Sequence, residues 1–170
     1  MKNNKGFTLK HSVDSGFTLI ELLLVVTILS LLAVTVFVAL NPSQRLTDTK
    51  NARRTADVDS ILMAIHQSIL DNKALPTNMA AANTETQLGS AGAGCAIVTG
   101  GCNVAQAACA NLLIGANNIS KYLKAMPIDP LGGATYDSTK TGYSAMVDSN
   151  GIITVRACGS EGGLTINEAR

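Results

Sequence analysis

Few side chains in this chain are placed to do chemistry. Glu21 is the only ionisable residue in an otherwise apolar run from Phe17 to Leu40. A carboxylate deep in a membrane-spanning helix costs roughly 2.5–3.5 kcal/mol on insertion scales, so it needs a functional reason and a partner. The 4 cysteines, Cys95, Cys102, Cys109 and Cys158, form a second set, the first three spaced at intervals of seven among glycines. Zinc sites bring Cys pairs two to four residues apart or nearby His, and neither is present, so disulfides in an oxidising compartment are expected. Sequence alone leaves three pairings open. Our working expectation joins Cys95 to Cys102 and Cys109 to Cys158, the second bond pinning the C-terminal strand to the middle of the domain. His66 has no visible nucleophile to serve, and it reads as a surface or boundary residue of a helix. Asp148-Ser149-Asn150-Gly151 carries too few acidic ligands for a calcium loop: Met146 stands where an earlier carboxylate is wanted, and no Glu lies at the proper distance. With no nucleophile and base pair, phosphate-cradling glycine loop or metal cluster in view, we expect no enzymatic activity, cofactor or metal.

These residues sit in a chain of 170 residues, enough for one soluble domain plus an anchor. Its 13 basic and 12 acidic residues nearly cancel and give no electrostatic footprint for nucleic acid. Aromatic content is 4% and Trp is absent, while many of the hydrophobic residues fall in Phe17 to Leu40, so the soluble part has a modest core that disulfide staples suit. As a helix, Phe17 to Leu40 is roughly 36 Å long, enough to cross a hydrocarbon core of about 30 Å. It is too long for the apolar region of an ordinary cleaved signal peptide, and no small-residue cleavage site stands before Asn41-Pro42. A plain transmembrane anchor fits the hydropathy but leaves Glu21 unexplained. Lys2, Lys5 and Lys10 before the span are balanced by Arg45, Lys50, Arg53 and Arg54 after it, so charge does not fix orientation.

Pro42 removes a backbone donor, and a kink or short melted segment is expected there. Beyond it, Leu46, Ala52, Ala56, Ile61, Leu62, Ile65 and Ile69 recur at three- and four-residue spacing, which predicts an amphipathic helix ending near Asn72. Lys50 to Asp59 reads chiefly as its solvated face, with Arg53 and Asp57 supporting each other weakly. Met79 to Gly101 lacks a period and reads as a long surface loop. Ala116 to Lys124 reads as a short helix, stopped by Pro127, and the chain is then turned by Asp129-Pro130 and Gly132-Gly133. Thr141 to Val147 and Ile152 to Cys158 flank Asn150-Gly151, a strong hairpin signal. Glu161-Gly162-Gly163 and Asn167 to Arg170 read as an exposed tail.

The order Gly16-Phe17-Thr18-Leu19-Ile20-Glu21, behind a short basic leader, resembles the class III signal of the type IV pilin and pseudopilin family. Gly6-Phe7-Thr8-Leu9 repeats the motif, but Lys10, His11 and Asp14 follow it and would place polar groups in the hydrocarbon, so only the second copy qualifies. The resemblance implies cleavage between Gly16 and Phe17 by a prepilin peptidase and N-methylation of Phe17. It also implies assembly with copies of the chain and other pilins, an assembly ATPase and a membrane platform protein. Its orientation is a cytoplasmic leader, a single pass through the inner membrane, and an outward head that ends in an extracellular or periplasmic filament; the cysteines agree. Glu21 of one subunit is then expected to pair with the Phe17 ammonium of a neighbour and so set the stagger. Tyr122-Leu123 with Met126-Pro127-Ile128-Asp129-Pro130-Leu131-Gly132 resembles a pattern of major pseudopilins of type II secretion, the alternative within the family. An alternative of another class is a non-polymerising membrane-anchored adhesin or receptor using the Met79 to Cys109 loop. The expected architecture is α+β, a long N-terminal helix packed on a small antiparallel sheet. Its parts are a leader at 1–16, a membrane and filament-core helix at 17–40, an amphipathic continuation at 41–73 and a head domain at 74–170.

Overall fold

A computed structural model describes residues 16–79, 82–133 and 135–170, and these form two helices and four strands in an α+β arrangement. The leader ahead of Gly16, with the first Gly-Phe-Thr-Leu copy, lies outside the described residues. The chain divides into two compact units, Met1–Pro42 and Ser43–Arg170.

The first unit holds α1, Leu19–Leu40, built from Leu, Val, Ile and Ala with no Gly or Pro in its interior. No residue of α1 is buried within the chain, although nearly all are apolar. It ends where Asn41 takes the left-handed conformation (φ 40°) and its N–H bonds Val38 O at 3.4 Å, a common way to close a helix. Pro42 then opens α2, Pro42–Asn72, at the position where a missing N–H costs least. The expected interruption is therefore real but one residue long.

In the second unit, α2 buries Val58, Ile61, Leu62, Ala64 and Ile65 against a four-stranded antiparallel sheet. The strands are β1 Thr86–Gln87, β2 Tyr143–Val147, β3 Ile153–Ala157 and β4 Ile166–Ala169, in the order β1-β2-β3-β4. Tyr143, Ala145 and Val147 of β2 and Ile153, Val155 and Ala157 of β3 supply the sheet side of the core, the alternation that strand geometry demands. Each fully buried Ile, Leu or Val contributes about 1.5–3 kcal/mol. The predicted hairpin joins β2 to β3: Asp148 Oδ1 accepts from Asn150 N and Ile152 N, both at 2.8 Å, so the carboxylate caps its own turn.

Several expectations are corrected. The buried stripe of α2 is not the one that Leu46, Ala52 and Ala56 mark; these are exposed, and Asn51, Arg54 and Val58 occupy the inner face instead. Lys50 to Asp59 is thus not simply a solvated face, because Arg54 is fully buried there. Ala116 to Lys124 forms turns rather than a helix, with Asn117 left-handed (φ 54°) and Tyr122 N and Leu123 N both closing on Ile119 O at 2.9 Å. The stretch read as a loop from Met79 to Gly101 contains β1. Asn167 to Arg170 is no free tail, since β4 pairs along β3 and Ile153 and Arg170 exchange backbone bonds at 2.7 and 3.0 Å.

The disulfides join Cys95 to Cys109 and Cys102 to Cys158, not Cys95 to Cys102 and Cys109 to Cys158. The segment between them folds back on itself: Ile97 and Val104 exchange backbone bonds at 3.0 and 2.9 Å, and Cys95 N donates to Ala107 O. Cys95 and Cys109 therefore face each other across its two arms, while Cys102 sits at the tip, in a turn closed by Cys102 N donating to Thr99 O. That tip meets the end of β3, where Thr99 Oγ1 donates to Cys158 O at 2.8 Å. Gly100 has φ +60°, and a Cβ there would stand 2.5 Å from Cys158 O, so only glycine allows the approach.

Candidate functional site

The residues singled out for processing and assembly meet at the start of α1. Thr18 has extended backbone (φ −77°, ψ 152°) and is the helix N-cap, its hydroxyl accepting from Glu21 N at 3.2 Å. Glu21 returns the contact: its Oε2 accepts from both Thr18 N and Thr18 Oγ1 at 2.8 Å. This reciprocal capping box satisfies two donors that every helix start leaves over. It also places the carboxylate in the first turn, where the helix dipole favours negative charge. Gly16, Phe17, Thr18 and Glu21 line one shallow hollow, and Phe17 is 88% exposed. Gly16, Phe17 and Glu21 thus lie together at the start of α1, whereas the cysteines lie in the other unit, within the head.

Thr18 is the member that the sequence reading passed over. Its signal is visible, a Thr followed three residues later by Glu ahead of an apolar run.

The remaining polar side chains of α1 are closed on their own helix. Thr27, Ser30 and Thr35 donate to the carbonyls of Leu24, Val26 and Leu32 at 2.8, 2.7 and 2.8 Å. Back-bonding of this kind lets hydroxyls sit in hydrocarbon without an external partner. Oε1 of Glu21 has no partner among the described residues.

The head is held together by a second polar cluster that no spacing in the sequence announces. Arg54 of α2 makes a two-pronged bond with Asp129, Nε to Oδ2 at 2.8 Å and NH2 to Oδ1 at 2.9 Å, with both side chains fully buried. Its NH1 reaches Asn51 Oδ1 at 2.7 Å and Glu161 Oε2 at 3.2 Å. Asn51 Nδ2 donates to Glu161 O, so the β3–β4 connection is laid onto α2. Nearby, Tyr143 donates to Asp57 at 2.7 Å; burial, then this bond, push its hydroxyl far above the ordinary tyrosine range. His66 is half-buried, as a boundary residue, beside a hollow lined by Met63, Gln67, Leu70 and Arg170, none of them a nucleophile.

On the sheet's other face, Glu85 accepts from Ser144 at 2.6 Å, Asn103 N at 2.8 Å and Arg156 at 3.1 Å, beneath the Cys102–Cys158 bond. Each buried carboxylate in the head is therefore matched by donors.

No curated protein and no solved structure matches the chain. Residues 12–37 match the family model of the prokaryotic N-terminal methylation motif, which covers the capped start of α1 and most of that helix. Gly16, Phe17, Glu21 and most of the exposed apolar helix fall within the matched residues: the chain carries the prokaryotic N-terminal methylation motif, the class III signal of type IV pilins.

Proposed function

We propose that the chain is a structural subunit of a type IV pilus or pilus-like filament, cleaved between Gly16 and Phe17 by a prepilin peptidase, methylated at Phe17 and polymerised through α1. The observation that carries this reading is the charged, half-committed Glu21 at the start of a helix whose apolar surface the chain itself leaves uncovered. Such a helix needs lipid or other helices around it. Before assembly the bilayer supplies that surround, and the disulfide-bonded head lies on the oxidising side of the inner membrane. After cleavage, Phe17 carries an ammonium close to Thr18 and Glu21. In a dry filament core that ammonium and the carboxylate of a neighbouring Glu21 satisfy each other, and a misplaced register leaves both charges unpaired. The pair therefore sets axial stagger, while the apolar faces of α1 supply contact area. Energy to lift each subunit out of lipid comes from an assembly ATPase acting through a membrane platform protein, by family resemblance.

The test is Glu21→Ala in the full chain, expressed in its host. Mass spectrometry should find the mature N-terminus at Phe17, while electron microscopy of sheared appendages finds filaments lost. Undiminished filaments in that variant overturn the pairing role, and retention of Met1 in the wild-type subunit overturns processing. A second reading, the major pseudopilin of a type II secretion system, is favoured by the Tyr122 to Gly132 pattern, whose Asp129 is the residue that takes Arg54. It is separated by whether deletion abolishes surface filaments or export of folded proteins. A non-polymerising anchored adhesin is the third outcome, recognised by a subunit that is never found in any filament.

A further inference from the structure

Thr86 stands in β1 opposite Ala145 and is only 7% exposed, yet its hydroxyl has no hydrogen-bond partner among the described residues. A buried hydroxyl normally has one, since an unpaired one forfeits its hydration for nothing. Thr86 lines a hollow of about 350 Å³ in the head, where Asn78, Thr84 and Gln106 make the rest of the polar wall and Cys109 and Ala110 an apolar one. The walls are braced from behind. Asn78 Nδ2 donates to Asn111 O at 2.8 Å and to Ile114 O at 3.1 Å, Ala110 N donates to Gln87 O at 2.8 Å, and Cys109 is bonded to Cys95. We propose that this hollow is a binding site for a neutral saccharide, with the Thr86 hydroxyl at its floor.

The class of ligand follows from what the walls offer. Among the described residues no charged side chain lines the hollow, so a phosphate, a carboxylate or an ammonium would be desolvated there without a counter-charge. What lines it instead is neutral and adaptable: the hydroxyls of Thr84 and Thr86 and the amide of Gln106 can each donate and accept. Asn78 is more specific. Its amide nitrogen is committed to two carbonyls, which leaves its oxygen to accept. A sugar carries hydroxyls that suit this set, and its C–H face needs an apolar wall, which Cys109 and Ala110 supply. A peptide strand is the other neutral ligand, but the backbone edge that it would extend is already taken: Gln87 O accepts from Ala110 N, and Gly89 N donates to Ala110 O at 3.1 Å. The site lies wholly within the head and does not depend on whether α1 assembles.

The test uses the full chain in lipid nanodiscs, free of sugar-based detergents. Saturation-transfer NMR is run with glucose, galactose, mannose, N-acetylglucosamine and N-acetylgalactosamine, each titrated alone. At least one should bind saturably, and binding of none overturns the proposal. Thr86→Val keeps the shape, removes the hydroxyl and should weaken that sugar about fivefold, the worth of one neutral hydrogen bond. Thr86→Ser keeps the hydroxyl and should bind as wild type does. Undiminished binding by Thr86→Val overturns the site, and equal loss in both variants overturns the role of the hydroxyl. Stability gives an independent readout: Thr86→Val should leave the urea midpoint unchanged or raise it, because it removes a group that the chain itself does not satisfy. A lowered midpoint reveals a partner within the chain and overturns the premise. Acetylated and amidated tetra-alanine is the peptide control, and its binding in place of the sugars overturns the saccharide assignment.

Discussion

Arg54 is the residue that a hydrophobic pattern cannot account for, because it stands on the inner face of α2 one turn ahead of Val58 with no exposure at all. A guanidinium there is tolerated because its donors are matched: two go to Asp129, and NH1 goes to Asn51 and Glu161. Asp129 is equally enclosed; it also accepts from Leu131 N at 2.9 Å, and a Cβ on Gly159 would stand 2.5 Å from its Oδ2. The pair therefore stabilises only as a pair. Asp129→Ala leaves a buried cation with one weak carboxylate neighbour and should cost about 3–5 kcal/mol, whereas Arg54→Met combined with Asp129→Leu should cost far less. Urea unfolding of the oxidised chain in detergent, followed by circular dichroism, checks both. A loss below about 1 kcal/mol for Asp129→Ala sinks the account, since that is what an exposed pair contributes.

At the scale of elements, what was legible follows from how local each signal is. α1, the break at Asn41-Pro42, the end of α2 at Asn72 and the β2–β3 hairpin are all written in neighbouring residues, and all stand where expected. β1 and β4 are not, because Thr86-Gln87 and Ile166 to Ala169 carry no strong alternation and become strands only by pairing with β2 and β3. The helix expected over Ala116 to Lys124 fails for a tertiary reason: Gly115 packs against Thr77, and Ile119 turns into the core. The disulfide pairing is likewise a long-range fact. It has a measurable consequence, since Cys102–Cys158 closes 56 residues of chain and Cys95–Cys109 only 14. In the chain-entropy view the longer loop stabilises by about 4 kcal/mol and the shorter by about 3 kcal/mol. Replacing Cys102 and Cys158 together by Ser should thus lower the urea midpoint more than the same change at Cys95 and Cys109. The reverse order would show that the hairpin bond, not the long-range staple, holds the head.

The whole molecule consists of two units that need different solvents. The buried cluster of the head runs from Val58 through Leu88, Leu112 and Ile119 to Ala157, and no residue of α1 belongs to it. Conversely, α1 has no buried residue and is long and apolar enough to cross a membrane. If the head depends on α1 for nothing, then Ser43–Arg170 alone carries every bond that folds it: the Arg54 cluster, the Glu85 cluster and both disulfides. Exported to an oxidising compartment, that fragment should be soluble without detergent and resist thiol labelling. It should also unfold in one cooperative step at the urea midpoint of the detergent-held full chain. The intact chain should instead aggregate once detergent is removed, because the apolar surface of α1 has no cover of its own. A fragment that unfolds more than about 1 kcal/mol less stably than the full chain would place part of the head's stability in α1. The division between an apolar helix that needs a surround and a head that folds by itself would then have to be given up.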